Sequence, residues 1–181
     1  DLDAVAGDGD FGYSLARGFE IVLESWEGYD RSDLGSFLGG VALMMSSRIG
    51  GSSGPIWGTA FLRASSVARG KQQLEGADVV AMLRAATEGI MARGGASLGD
   101  KTLLDALVPL TDAIEAGVRA GSDPKAIAKS AAVVARDAAE RTSTLTARRG
   151  RASYTGERSV GSPDPGAIAM AVLAERIAGT R

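Results

Sequence analysis

Three carboxylates, Asp3, Asp8 and Asp10, fall within eight positions near the start of this chain, and glycines space the last two in Gly7-Asp8-Gly9-Asp10. Such a stretch is poor helix and poor core, because Asp competes with the backbone for hydrogen bonds and Gly is costly in a regular element. It suits a tight loop with convergent carboxylates. Carboxylates held close together repel one another unless a cation lies between them, and hard divalent cations take oxygen ligands. The chemistry expected is magnesium binding, together with the phosphates magnesium commonly accompanies.

Three further loops carry residues of the right type. Gly50-Gly51-Ser52-Ser53-Gly54-Pro55 offers close backbone approach and two hydroxyls. With Pro55 in the first turn of a following helix, it can also form an anion site at a helix N-terminus. Taken alone, it is equally well a plain interhelix turn. Arg93 to Thr102 is a third glycine-rich loop. Residues 148–166 form a long fourth one with four arginines, which can clamp phosphates or simply be solvated.

The elements that must position these loops are helices. Leu15, Phe19, Val22, Leu23 and Trp26 recur at helical spacing. A second helix, capped by Ser32, carries Leu34 to Met44, and further helices are predicted over Ile56 to Ala68, Ala77 to Arg93, Leu103 to Ala120 and Lys125 to about Thr146. Asp164-Pro165 starts a last helix that runs to the end. No segment alternates at period two. The expectation is an all-α bundle of at least seven helices in one domain, 1–181.

Composition narrows the function. The 181 residues hold no cysteine, which excludes a disulfide framework and thiolate metal sites. They also hold no histidine, which excludes histidine acid–base catalysis, phosphohistidine chemistry and histidine metal ligation from this chain. A net charge of −2 without a basic block argues against nucleic acid as a partner. Neither a signal-peptide pattern nor an apolar run long enough to span a bilayer is read in these residues, so a cytoplasmic location without membrane association is the expectation.

Taken together, Gly-Asp-Gly-Asp, Gly-Gly-Ser-Ser-Gly-Pro, Gly-Asp-Lys-Thr-Leu-Leu-Asp and the stretch from Gly150 to Ala167 occur in the order seen in one family. The chain closely resembles the nucleotide-binding L subunit, or C-terminal domain, of dihydroxyacetone kinases, over essentially its whole length. The resemblance implies a closed up-and-down antiparallel barrel of eight helices, the first expected before Asp1. It implies a phosphotransferase with an alcohol acceptor, active with a substrate-binding K subunit or domain that holds a short ketose on its own histidine. Bound ADP or ATP and magnesium (two ions) are implied too, and in one branch a phosphotransferase-system protein supplies the phosphoryl group.

Carried over by position, Asp3, Asp8 and Asp10 match the metal ligands, and Asp1 does not. Phe11, Gly12, Tyr13 and Ser14 match the nucleotide loop, and Ser52 and Ser53 match the phosphate-contacting positions. Gly94 and Leu103 match positions near the adenine, Arg151 a nucleotide-contacting arginine, and Pro163, Asp164 and Pro165 the last contact. The catalytic machinery implied is therefore Asp3, Asp8, Asp10 and Arg151. Phe11 and Ser162 stand where the family commonly has histidine, which reads either as drift or as a subfamily acting on another sugar such as a four-carbon ketose. Two other readings share these features: the nucleotide domain of a fatty-acid kinase, and a nucleotide-dependent regulatory or interaction module.

Overall fold

The computed structural model describes residues 9–179, with the side chain of Arg151 also outside the description. Seven α-helices and three 3-10 stretches account for its regular structure, with no strand among the described residues. The helices group into two compact units, Phe11–Gly95 and the chain from Ala96 onward.

The first unit holds α1 (Phe11–Glu24), α2 (Leu34–Arg48), α3 (Ser53–Ala68) and α4 (Gly76–Gly94). Each packs on the next. The pairs run antiparallel, as glycine contacts show. A Cβ on Gly35, at the start of α2, would meet the backbone of Arg69 just past the end of α3 at 2.6 Å. One on Gly58, early in α3, would meet Ser46 and Ala42 late in α2. Small residues therefore let these helices approach closely, with Val41, Met45, Trp57 and Ile90 filling the interior. Asp33 caps α2 by accepting from the Ser36 amide at 2.7 Å. Trp26, in a 3-10 turn (Trp26–Gly28), and Tyr29 both set their rings edge-on to Phe37 of α2, with centroids 5.1 and 5.6 Å away.

The second unit holds α5 (Leu104–Arg119), α6 (Pro124–Arg141) and α7 (Pro165–Gly179). Alanines line its seams: Ala131, Ala135 and Ala139 of α6 and Ala167, Ala171 and Ala174 of α7 are buried. Arg136 grips Glu175 of α7 with two hydrogen bonds of 2.7 and 2.8 Å.

Several boundaries differ from expectation: α2 is capped by Asp33 rather than Ser32, and α3 opens at Ser53 rather than Ile56. α6 stops at Arg141 rather than near Thr146, because the Thr142 hydroxyl donates to Ala139 O at 2.5 Å and accepts from the Asp164 amide at 2.7 Å. The arginine-rich segment is ordered by 3-10 turns over Arg151–Ser159, kinked at Gly156 (φ 56°), where the sequence predicts only a long loop.

Candidate functional site

In the first unit, three sets of expected residues lie at one end. Phe11, Gly12, Tyr13 and Ser14 form the first turn of α1, with Gly12 and Tyr13 exposed. Behind them Gly18 receives Ile49, the residue that ends α2, and Ser14 Oγ lies 4.0 Å from where a Gly50 Cβ would be. Ser52 and Ser53 open α3, so the helix begins two residues before Pro55 and the serines sit at its N-terminus. The Ser52 side chain makes no capping hydrogen bond, which leaves its hydroxyl available to a ligand. Gly94 ends α4 at this same end, because α4 runs antiparallel to α3, and Gly95 continues in the left-handed conformation (φ 58°).

The glycines of the serine loop serve the protein as much as any ligand. Gly51 takes φ 64°, and a Cβ on Gly54 would stand 2.3 Å from Ile49 O. An exposed helix N-terminus with unused hydroxyls is nonetheless suited to phosphate oxygens.

In the second unit, Leu103 and the Pro163–Pro165 segment meet. A Cβ on Gly166 would lie 3.2 Å from Leu103 Cβ and 3.0 Å from Asp164 Oδ2. Asp164 caps α7, accepting from the Ala167 amide at 2.7 Å. Its carboxyl is enclosed, and loss of solvation pushes its pKa up to about 7. Nearby Asp105 adds to the rise, while Lys101 and the amides of Ala167 and Gly166 oppose it.

The residues that sequence reasoning left without a role are those that build this loop. Asp105 accepts from the amides of Gly99 (2.6 Å) and Thr102 (2.7 Å). Asp100 accepts from the Ser97 amide at 2.9 Å and from Arg149 Nε at 3.1 Å, and these hold its carboxyl below the usual range. Arg149, one of the four arginines that could clamp phosphate or be solvated, is thus paired with Asp100 while its side chain stays about half exposed. Lys101 is buried and donates to Leu145 O, Ser159 O and Ser162 O. The signal was present in Gly-Asp-Lys-Thr-Leu-Leu-Asp: two carboxylates bracketing a lysine in a loop need partners, though their identity is non-local.

Asp3 and Asp8 lie outside the described residues, as does the side chain of Arg151. Asp10, exposed, directly precedes α1, after Gly9 with φ 77°. Among the described residues no three carboxylates cluster to hold a metal. The donor set Asp3, Asp8 and Asp10 is all hard oxygen and in that chemistry fits magnesium.

A family model described as the DAK2 domain matches residues 5–179. The ADP-binding subunit DhaL of the PEP-dependent dihydroxyacetone kinase of Escherichia coli is 36% identical over 177 residues, covering 98% of this chain and 84% of that protein. L-erythrulose 1-kinase of Mycolicibacterium smegmatis is 39% identical over 176 residues, covering 95% of this chain and 30% of that protein. The dihydroxyacetone kinase of C. freundii, crystallised in complex with AMP-PNP and Mg2+, matches in structure with a TM-score of 0.78 and 25% identity, covering 99% of this chain and 30% of that one.

Proposed function

This chain belongs to the DAK2 domain family, and from that membership we propose that it is the nucleotide-binding component of a dihydroxyacetone-type kinase. It presents magnesium with ADP or ATP for phosphoryl transfer to a short ketose held by a partner subunit or domain. The observation that carries this is the match, over 98% of this chain and 84% of the relative, to a protein that is itself an ADP-binding subunit. The match to about a third of L-erythrulose 1-kinase supports the same role within a fused enzyme and extends the acceptor class to four-carbon ketoses. The family match runs unbroken from 5 to 179, which supports reading 1–181 as one nucleotide-binding domain.

Each residue's part follows from its chemistry. Asp3, Asp8 and Asp10 hold magnesium, two ions in this reading. When bound, magnesium neutralises phosphate charge and aligns the group in transfer. Ser52 and Ser53 donate to phosphate oxygens from the start of α3. Phe11, Gly12, Tyr13 and Ser14 border the nucleotide, Gly94 and Leu103 the adenine, and Pro163, Asp164 and Pro165 make the last contact. Arg151 offsets the charge that develops in transfer. The chain has no histidine, so the nucleophilic hydroxyl and any imidazole base belong to the partner's side. No described helix is long and apolar enough to cross a membrane, and the reading places the chain in the cytoplasm. The phosphoryl donor is ATP or a phosphotransferase-system protein.

Calorimetric titration with ADP and ATP, with and without magnesium, tests the assignment. Magnesium-dependent binding is expected, lost in Asp10→Asn. Absence of nucleotide binding under all four conditions would refute it, and an Asp10→Asn protein with unchanged affinity would remove the metal assignment.

A further inference from the structure

A lysine in a glycine-rich loop beside a nucleotide site invites one assumption, that its ammonium reaches phosphate. The geometry points elsewhere. We propose that Lys101 is a positioning residue: its ammonium, buried beneath the 145–162 segment, gathers that backbone and so presents Arg151 and Pro163–Pro165 to the nucleotide. The inference rests on the nucleotide reading above.

Three observations carry it. First, Lys101 is 4% exposed, an unusual place for a lysine, and its Nζ is fully engaged. It donates to Leu145 O at 3.1 Å, to Ser162 O at 2.7 Å and to Ser159 O. A neutral amine has two N–H groups, so three carbonyl acceptors require the ammonium, and no donor remains for a phosphate. Burial lowers the lysine pKa, and Asp164 offsets only part of that fall.

Second, all three acceptors are main-chain oxygens of one segment. Leu145 and Ser162 flank the 3-10 stretch Arg151–Ser159 and Ser159 ends it, so a single cation draws together points up to 17 residues apart. Adjacent bonds follow the same closure. Ala147 N donates to Ser159 Oγ at 2.9 Å, Gly161 N to Ser143 O at 2.8 Å, and Asp164 N to Thr142 Oγ1 at 2.7 Å. Carbonyls aimed at one point repel each other, so the cation is what makes the arrangement stable.

Third, Lys101 is the one described non-glycine residue with a left-handed backbone (φ 62°). Glycine would relieve that strain, as at Gly99 next but one (φ 87°), yet the position carries a long cationic side chain. The side chain's bonds are what hold the strained backbone in place.

The test uses the full chain. Lys101→Met keeps an unbranched side chain, one atom shorter, and removes the charge, while Lys101→Ala leaves a space the size of propylammonium. ADP affinity with magnesium is read by calorimetry, and segment order by hydrogen exchange resolved along the chain. In Lys101→Met the expected result is faster exchange over 145–162 with α5 to α7 still protected. ADP affinity should weaken by about tenfold, as a binding-competent fraction near a tenth would give. Propylammonium should restore affinity to Lys101→Ala, and propanol should not. Wild-type affinity in Lys101→Met would overturn the proposal, as would exchange that rises equally throughout the unit. If neither variant folds, with or without propylammonium, Lys101 is a folding residue and the positioning role falls. If the wild type binds no ADP, the nucleotide reading fails while the exchange data still decide whether Lys101 orders the segment.

Discussion

Asp164 shows how one side chain can answer to two demands. It is the N-cap of α7, which favours an anion, but its carboxyl is enclosed and stands near Asp105, which favours the neutral acid. Desolvation wins, and the pKa rises to about 7. With the folded value above the unfolded one, the folded chain holds a proton that the unfolded chain releases. The associated stability is complete below the unfolded value near 3.8 and is lost as pH rises through about 7. Asp100 and Asp33 have lowered values and lose their contribution only at acid pH. Between pH 5 and 8 the wild-type melting temperature should therefore fall by a component that Asp164→Asn lacks, since Asn also caps helices. Thermal unfolding of both proteins across that range checks it, and parallel curves would show that Asp164 does not titrate there.

At the scale of elements, helices were readable because burial imposes a 3.6-residue period on them. The seven expected helices are present, with ends shifted by a few residues. The end of α6 was not readable, because the Thr142 hydroxyl that closes it binds a residue 22 positions away. The 3-10 turns of 151–159 were hidden for the same reason: no local pattern announces carbonyls turned toward a distant lysine. The α2–α3 connection reads from sequence equally as a ligand loop or a plain turn, and only the structure shows that Gly54 is required by protein packing, with its Cβ position 2.3 Å from Ile49 O. Gly54→Ala must move backbone rather than a flexible side-chain tip. It should destabilise the protein by about 1–3 kcal/mol, the usual range for overpacking, measurable by denaturant titration. Gly12→Ala, with nothing within 4 Å of its Cβ, should cost far less.

For the molecule as a whole, the decisive chemical fact is an absence: a chain of 181 residues without histidine or cysteine. Its proposed contribution to phosphoryl transfer is charge and positioning, with the acceptor held elsewhere. Alone, with nucleotide and magnesium, it should phosphorylate neither dihydroxyacetone nor erythrulose. Addition of a ketose-binding partner and a phosphoryl donor should start turnover, followed as ketose phosphate. Turnover by the isolated chain would mean that it carries an acceptor site of its own.

The sequence by itself determined the all-α class and the family, and the oxygen-only chemistry of Asp3, Asp8 and Asp10 is what makes magnesium the expected cation there. These follow from local periodicity, residue chemistry and ordered motifs. Only the tertiary structure decided which partner each polar group takes. Arg149 pairs with Asp100, the Asp164 carboxyl is enclosed, and the Lys101 ammonium is surrounded by carbonyls 44 to 61 positions along the chain. A charged side chain in a loop has the same composition whether it meets solvent, ligand or backbone. Its partner is chosen by long-range packing, which is where the role of Lys101 is settled.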